Sequence, residues 1–256
     1  MKIIKKDLVK IIKENNYNCI FISPHSDDAI LSCGGLIENL IGKTSITIIN
    51  VFTSAHKGPY TLSAKVFMKS SHGSNDARAF YQERVAEDRK VWSQLSLTPQ
   101  NLGLEDALFR KKQKTSFLGK LLPEIDHIYP TYRWHILKSI SSSDPAIILL
   151  KKKLSPYRRQ KNLIFAPYGI GNHADHRLVR KICEELFDNL ILYSDFPYNI
   201  RLNTYGEPLR KGDIFRIKPS IDKKIKLIAG YKTQFQALFG GTVPDHEEVF
   251  FSNKPL

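Results

Sequence analysis

The sequence predicts an α/β fold, a mostly parallel sheet with helices on both faces. Short apolar, β-rich runs alternate with segments of helical spacing. The order strand, loop, helix, strand occurs twice, once near each end of the chain. Length agrees, since 256 residues with 42% hydrophobic content can build one large domain, or one domain carrying a sizeable insertion.

The elements follow in chain order. Leu8, Ile11 and Ile12, interrupted by Lys10 and Lys13, read as a short amphipathic helix. This N-terminal stretch lacks the apolar core and cleavage site of a signal peptide, and no run of about 18 uncharged apolar residues occurs anywhere. The expectation is a cytoplasmic protein without a membrane span. Cys19-Ile20-Phe21-Ile22 reads as a buried strand that delivers the chain through Ser23-Pro24 into a loop. Ile30, Leu31, Leu36, Ile37, Leu40 and Ile41 then recur at helical spacing, with Gly42 as a C-terminal stop. A second strand at 46–52 completes a right-handed βαβ unit. A helix is expected at 76–93.

The stretch 109–161 is basic and aromatic. No convincing linker brackets it, so it reads as an inserted basic cap region beside the functional edge, within a single domain spanning 1–256. Inside it, Asp144 as N-cap and Pro145 at the first position open a helix at 145–154. Leu163-Ile164-Phe165-Ala166 is the next strand, followed by a glycine-bearing loop, a helix through Leu178, Val179, Ile182, Leu186 and Phe187, and a strand at 190–193. A last helix is expected at 221–238. In open α/β sheets ligands bind beyond the carboxyl ends of the strands, so the loops after Ile22 and Ala166 emerge on one edge.

Charge and cysteine content bound the partners. A formal charge of +14 is compatible with nucleic acid, anionic lipid or a phosphorylated substrate, but the lysines are spread along the chain as on a solvated surface. Only 110–114 and 151–161 are concentrated enough for a basic patch. Three scattered cysteines make neither a disulfide framework nor a Cys-based zinc site.

Two polar clusters carry the chemistry. In Pro24-His25-Ser26-Asp27-Asp28, His25 and Asp28 share a face if the loop begins to turn as a helix, and together can grip a cation. Asp27 then points elsewhere and is free to handle protons. The second cluster, His173-Ala174-Asp175-His176, also follows a strand and opens a helix. A mononuclear catalytic zinc takes three protein ligands and keeps a position for water, and the two clusters supply that many with residues to spare. Spacing does not separate the roles of His173 and His176.

These runs resemble the two signature motifs, Pro-His-x-Asp-Asp and His-x-Asp-His, of the PIG-L/LmbE-type zinc-dependent N-acetylglucosaminyl deacetylases. Arg84-x-x-Glu87 and Leu102-Gly103-Leu104-Glu105-Asp106 extend the resemblance over most of the chain outside 109–161. It implies a Rossmann-like fold and one Zn2+ bound by His25, Asp28 and His176. It further implies that Asp27 is the general base toward a zinc-bound water, that His173 stabilises the oxyanion or acts as an acid, and that Asp175 orients and charges His173. Arg84 and Asp106 become substrate-binding candidates. The implied reaction is N-deacetylation of an N-acetylated amino sugar or sugar conjugate, and the basic surface suits a phosphorylated or lipid-linked one. His/Asp ligation also admits another divalent metal. Where the family usually continues Pro-Asp-Asp-Glu, this chain has Ser26 and Ala29, and the absent glutamate leaves a catalytically impaired relative as one alternative.

A basic nucleic-acid-binding protein is the other alternative, with Tyr129, Tyr132, Trp134 and Tyr157 interleaved among the charges. A dinucleotide site is disfavoured because Gly169-Ile170-Gly171 lacks its third glycine, and a serine hydrolase because no Gly-x-Ser-x-Gly is present. His56, His72, His127, His135 and His246 have no paired ligand spacing, so packing or surface roles are expected, with His72 and His246 within reach of the site from loops. Tyr231, Gln234 and Gln236 on the last helix are candidates to line the sheet edge, with core packing the expected use of Tyr231.

Overall fold

A computed structural model describes residues 7–72, 75–207 and 212–256. The strands are β1 (Asn18–Ser23), β2 (Ile46–Ser54), β3 (Gln100–Glu105), β4 (Asn162–Pro167), β5 (Leu190–Tyr193), β6 (Ile214–Ile217) and β7 (Glu248–Ser252). The helices are α1 (Leu8–Glu14), α2 (Asp28–Leu40), α3 (Leu62–His72), α4 (Ala77–Ser93), α5 (Leu118–Leu121), α6 (Ala146–Leu154), α7 (Ala174–Leu186), α8 (Tyr198–Arg201), α9 (Ile221–Ile228) and α10 (Lys232–Phe239).

The strands form one sheet in the order β3-β2-β1-β4-β5-β7-β6. β1 to β5 are parallel, and β7 and β6 close one side as an antiparallel pair. This is the α/β, mostly parallel sheet that the sequence predicts. The order reverses between β1 and β4, and at such a switch point the two following loops diverge to opposite faces and leave a crevice between them.

Period-two alternation assigns the side chains to the two faces. Cys19 and Phe21 of β1, Leu163 and Phe165 of β4, and Ile191 and Tyr193 of β5 join the core beneath α1, α2, α9 and α10. Their neighbours Ile20, Ile22, Ile164, Ala166, Leu190 and Leu192 join the core beneath α6 and α7. Phe21 and Phe165 stack with centroids 4.4 Å apart, locking β1 against β4 directly below the switch point.

Several elements differ from expectation. The helix expected at 221–238 is two, α9 and α10, and between them Gly230 packs so closely that a Cβ would meet Val91 Cγ2 at 2.4 Å. The pair β6 and β7 and the helix α3 are not apparent from periodicity. Ile214 is exposed and β6 buries one of its four residues, which shows no pattern. β3 lies at the motif around Gly103. Within 109–161, α6 packs Ala146, Leu150 and Leu154 into the core shared with α7. The Asp144 carboxylate accepts from the Ala146 N–H at 2.9 Å, as a cap does. Gly42 takes φ +74 just beyond α2. Among the described residues no helix is long and apolar enough to cross a membrane.

Candidate metal centre

β1 ends at Ser23, whose hydroxyl accepts from the Ala29 N–H at 2.9 Å and donates to the His25 carbonyl at 2.5 Å. These bonds fold the loop against the start of α2. The His25 N–H donates to Asp28 Oδ2 at 2.8 Å, and that oxygen also lies 3.2 Å from His25 Nδ1 and 3.3 Å from His176 Nε2. His176 arrives on the first turn of α7, beyond β4. Donor atoms of His25, Asp28 and His176 all lie within 4.8 Å of one another. His25, His173 and Asp175 form a second such group that shares His25.

Second contacts orient these side chains. His176 Nδ1 is 2.7 Å from Asp195 Oδ1, while Asp195 Oδ2 accepts from the Gly169 and Ile170 N–H groups at 2.7 and 2.8 Å. Asp195 thus cannot swing away, and it aims His176 Nε2 at Asp28. His25 Nε2 lies 3.2 Å from Asp106 Oδ2 and 3.3 Å from Asp175 Oδ2. Asp106 also caps the turn at Ala107–Phe109 through the Leu108 N–H at 2.9 Å. The Asp175 carboxylate accepts from the Ala107 N–H at 2.9 Å and pairs with Arg110, whose guanidinium also pairs with Asp144.

Asp175 has several partners. Its carboxylate bonds to His25, the Ala107 N–H and Arg110 and lies within 4.8 Å of a His173 ring nitrogen, and its backbone N–H donates to His173 Nδ1 over 3.3 Å. That bond makes Nδ1 an acceptor and assigns the His173 proton to Nε2. Burial, reinforced by the nearby His25 charge, holds His173 down to about 4. That shift favours the neutral imidazole with its proton on Nε2. Its ring stands edge-on to His25, with centroids 5.2 Å apart.

Asp27 lines the same cleft, with Arg84 Nη2 3.3 Å from its Oδ1. Burial pushes the Asp27 carboxyl above its ordinary range, and Arg84 opposes that rise without cancelling it. Asp28 behaves oppositely. Burial alone would raise it, but His176 and His25 overcome burial and hold it well below the carboxylate range. Burial would lower His176, yet Asp28 and Asp195 push it up to about 10. Buried carboxylates thus outweigh the fixed positive charge of Arg84 and Arg110, and the imidazoles take up protons in compensation. Such a donor set fits a divalent cation, which would neutralise the same carboxylates and leave the imidazoles neutral.

Tyr132, Tyr198, Gln234 and Leu238 complete the cleft walls, and Phe67 contributes from α3. Arg84 and Asp106 both face the cleft, though Arg84 also holds Asp27 and Asp106 also holds His25. Ala29 is fully buried in the apolar core beneath α2. Tyr231 is also a core residue, its hydroxyl donating to Asp88 at 2.8 Å. His246 is away from the cleft, stacked on Phe196 at 3.6 Å, and the side chain of His72 lies outside the described residues. Tyr129 is buried and donates to Asp144, so it offers no face for stacking a base.

Sequence reasoning missed Asp195 and Arg110. Asp195 follows a strand at the carboxyl edge, the same signal that marks the other loops. Arg110 was masked by its place at the head of a lysine run.

A family model described as PIG-L: GlcNAc-PI de-N-acetylase matches residues 20–187, from β1 to the end of α7. A 2'-N-acetylparomamine deacetylase of Niallia circulans is 26% identical over 247 residues, covering 86% of this chain and 82% of that protein. A deacetylase from the biosynthesis pathway of teicoplanin superposes with TM-score 0.66 at 18% identity, covering 92% of this chain and 97% of the other. A zinc-inhibited form of teicoplanin deacetylase superposes with TM-score 0.66 at 17% identity, over the same shares of the two chains.

Proposed function

This chain belongs to the PIG-L family of de-N-acetylases, and from that premise we propose that it hydrolyses the N-acetyl amide of an amino sugar or sugar conjugate, using a divalent metal, zinc in the first instance. The convergence of His25, Asp28 and His176 beside Asp27 carries the reading. The group containing Asp28 is the better metal site of the two. Among the described residues Asp28 is partnered by imidazoles and a backbone N–H, whereas Asp175 also pairs with the Arg110 guanidinium. A bound zinc supplies Lewis acidity, which lowers the pKa of water from about 15.7 to about 7 and polarises a carbonyl.

The chain's own residues do the rest. Asp27 accepts a proton as the water oxygen adds to the amide carbon, and its raised affinity for protons suits it to that task. The His173 Nε2–H donates toward the oxygen on which negative charge develops. Asp27 then returns the proton to the nitrogen as the C–N bond breaks, releasing acetate and a free amine. Arg84 holds the Asp27 carboxylate toward the cleft at 3.3 Å and keeps a guanidinium beside the polar groups of the sugar. Asp106 and Asp175 fix the His25 ring. Ala29 sits in the core and not among these groups, which supports an active enzyme.

The related deacetylases named above act on paromamine- and teicoplanin-type molecules, which supports an acetylated aminoglycoside or sugar conjugate as substrate here. The reading takes the chain as one deacetylase domain with an inserted segment inside 109–161. It also takes the location as cytoplasmic, with three free, buried cysteines in keeping.

The test is metal analysis of purified wild type and Asp28→Ala protein, with acetate release measured over a panel of N-acetylated sugars. Roughly one metal per wild-type chain, loss of it in the variant and acetate release by wild type alone are expected. Stoichiometric metal retained by the Asp28→Ala protein would overturn the ligand assignment.

A further inference from the structure

Between Arg110 and Tyr129 the chain makes an excursion built outward from the sheet. Asp126 is its pivot: buried, it accepts from the Ser116 N–H at 3.0 Å and from the Ser116 hydroxyl at 3.1 Å. Gly119 packs so tightly against this carboxylate that a Cβ would meet Asp126 Oδ2 at 1.8 Å. The excursion is thus a folded unit, and its shape turns large apolar side chains into solvent. Phe117 and Leu121 are 77% and 73% exposed, and Leu118, Leu122 and Ile125 are exposed beside them.

α3 continues the surface. The Leu62 N–H donates to Glu124 Oε1 at 2.8 Å, joining the start of α3 to the excursion. One turn apart on α3, Leu62 and Val66 are exposed at 70% and 60%. An apolar surface of this kind, exposed among the described residues, marks a site of contact.

Its charge identifies the partner. Lys112, Lys114 and Lys120 on the excursion and Lys65 and Lys69 on α3 are exposed around the apolar residues. The acids of the region are turned to internal work, Asp126 to Ser116 and Glu124 to the Leu62 N–H. Exposed Phe and Leu ringed by lysine match an anionic bilayer surface, where apolar groups enter the acyl boundary and lysines meet the headgroups. α3 also sends Phe67 into the wall of the cleft, so the docked face lies beside the opening.

We propose that the face formed by Phe117, Leu118, Leu121 and Leu122 with Leu62 and Val66 docks this protein on an anionic lipid membrane and presents its cleft to substrates at the bilayer surface. This goes beyond the hydrolytic reading, because membrane binding requires neither a metal nor turnover.

The test is co-sedimentation of the metal-loaded protein with large vesicles, either phosphatidylcholine alone or phosphatidylcholine mixed with phosphatidylglycerol. The wild type should pellet with the mixed vesicles at low salt and be released as salt rises. Lys114→Glu and Lys120→Glu should each weaken binding about fivefold or more. Phe117→Asp with Leu121→Asp should weaken it by at least about tenfold, with acetate release from a small soluble substrate unchanged and the circular dichroism spectrum retained. Absence of binding to mixed vesicles at low salt, or binding that these substitutions leave intact, would overturn the proposal. So would a vesicle-free dimer that the Phe117 and Leu121 substitutions dissociate, since the face would then belong to a second copy. Vesicle binding by a chain without deacetylase activity would overturn the proposed function and leave this inference standing.

Discussion

Asp195 Oδ1 lies 2.7 Å from His176 Nδ1, while the other oxygen of the same carboxylate is held by the N–H groups of Gly169 and Ile170. A backbone loop after β4 and a carboxylate after β5 thereby determine which imidazole nitrogen faces Asp28. Under the proposed function, the quantity that this relationship controls is metal affinity. Asp195→Asn, which leaves a weaker acceptor in nearly the same volume, is expected to lower that affinity by about 10- to 100-fold. Competition with a chelator checks it, and excess metal should restore much of the activity.

Arg110 is buried between Asp144 and Asp175 and bonded to both. Arg110→Met is expected to strand two buried carboxylates and to cost about 3 to 5 kcal/mol of stability, read from urea unfolding. Arg110→Lys should recover only part of this, because an ammonium does not present the planar fork that bridges two acids. Equal stability of all three proteins would show that the pairs are dispensable.

Asp27→Asn removes proton acceptance while keeping shape. The variant is expected to keep its metal and to lose about 10²- to 10⁴-fold in kcat. Metal analysis beside steady-state kinetics separates this from the Asp195 effect, in which metal itself is lost. Near-wild-type turnover by metal-loaded Asp27→Asn protein would remove Asp27 from the mechanism.

Asp88 gives a pH dependence of stability. Its carboxyl is pushed up to about 7, chiefly by burial, against hydrogen bonds from Tyr231 and Asn50 that favour the charged form. A raised folded-state value means that the folded protein holds this proton more tightly than the unfolded chain does. The stabilisation is full below about pH 4, the unfolded value, and is lost as pH rises through about 7. Asp88→Asn does not titrate, so its stability relative to wild type should increase between those limits by an amount on the order of a few kcal/mol and then level off. A parallel pair of pH-stability curves in urea would contradict this.

Much of the fold was legible because the parallel strands are buried on both faces and announce themselves as short apolar runs. β1, β2, β4 and β5 appear in the structure within a residue or two of expectation. β6 was invisible because four residues with one buried side chain carry no period, and β7, though fully buried, is an antiparallel strand outside the strand-loop-helix alternation that exposed the others. Gly230, between the two last helices, packs against Val91, more than a hundred residues earlier. Within the site, His25 with Asp28 and Asp175 with His176 were visible as local clusters. The partners that orient them were not.

By itself the sequence determined the alternation of strands and helices, the two donor clusters and their arrival at one sheet edge, because periodicity and spacing are local properties of a chain. Only the tertiary structure decided that Asp28 is shared by two imidazoles, that Asp175 serves His25 and Arg110 with its carboxylate, and that the residues around Phe117 face water. Those outcomes depend on distances between residues far apart in sequence. The packing of β1 against β4 and the closing of the excursion around Asp126 set those distances, and no local pattern records them.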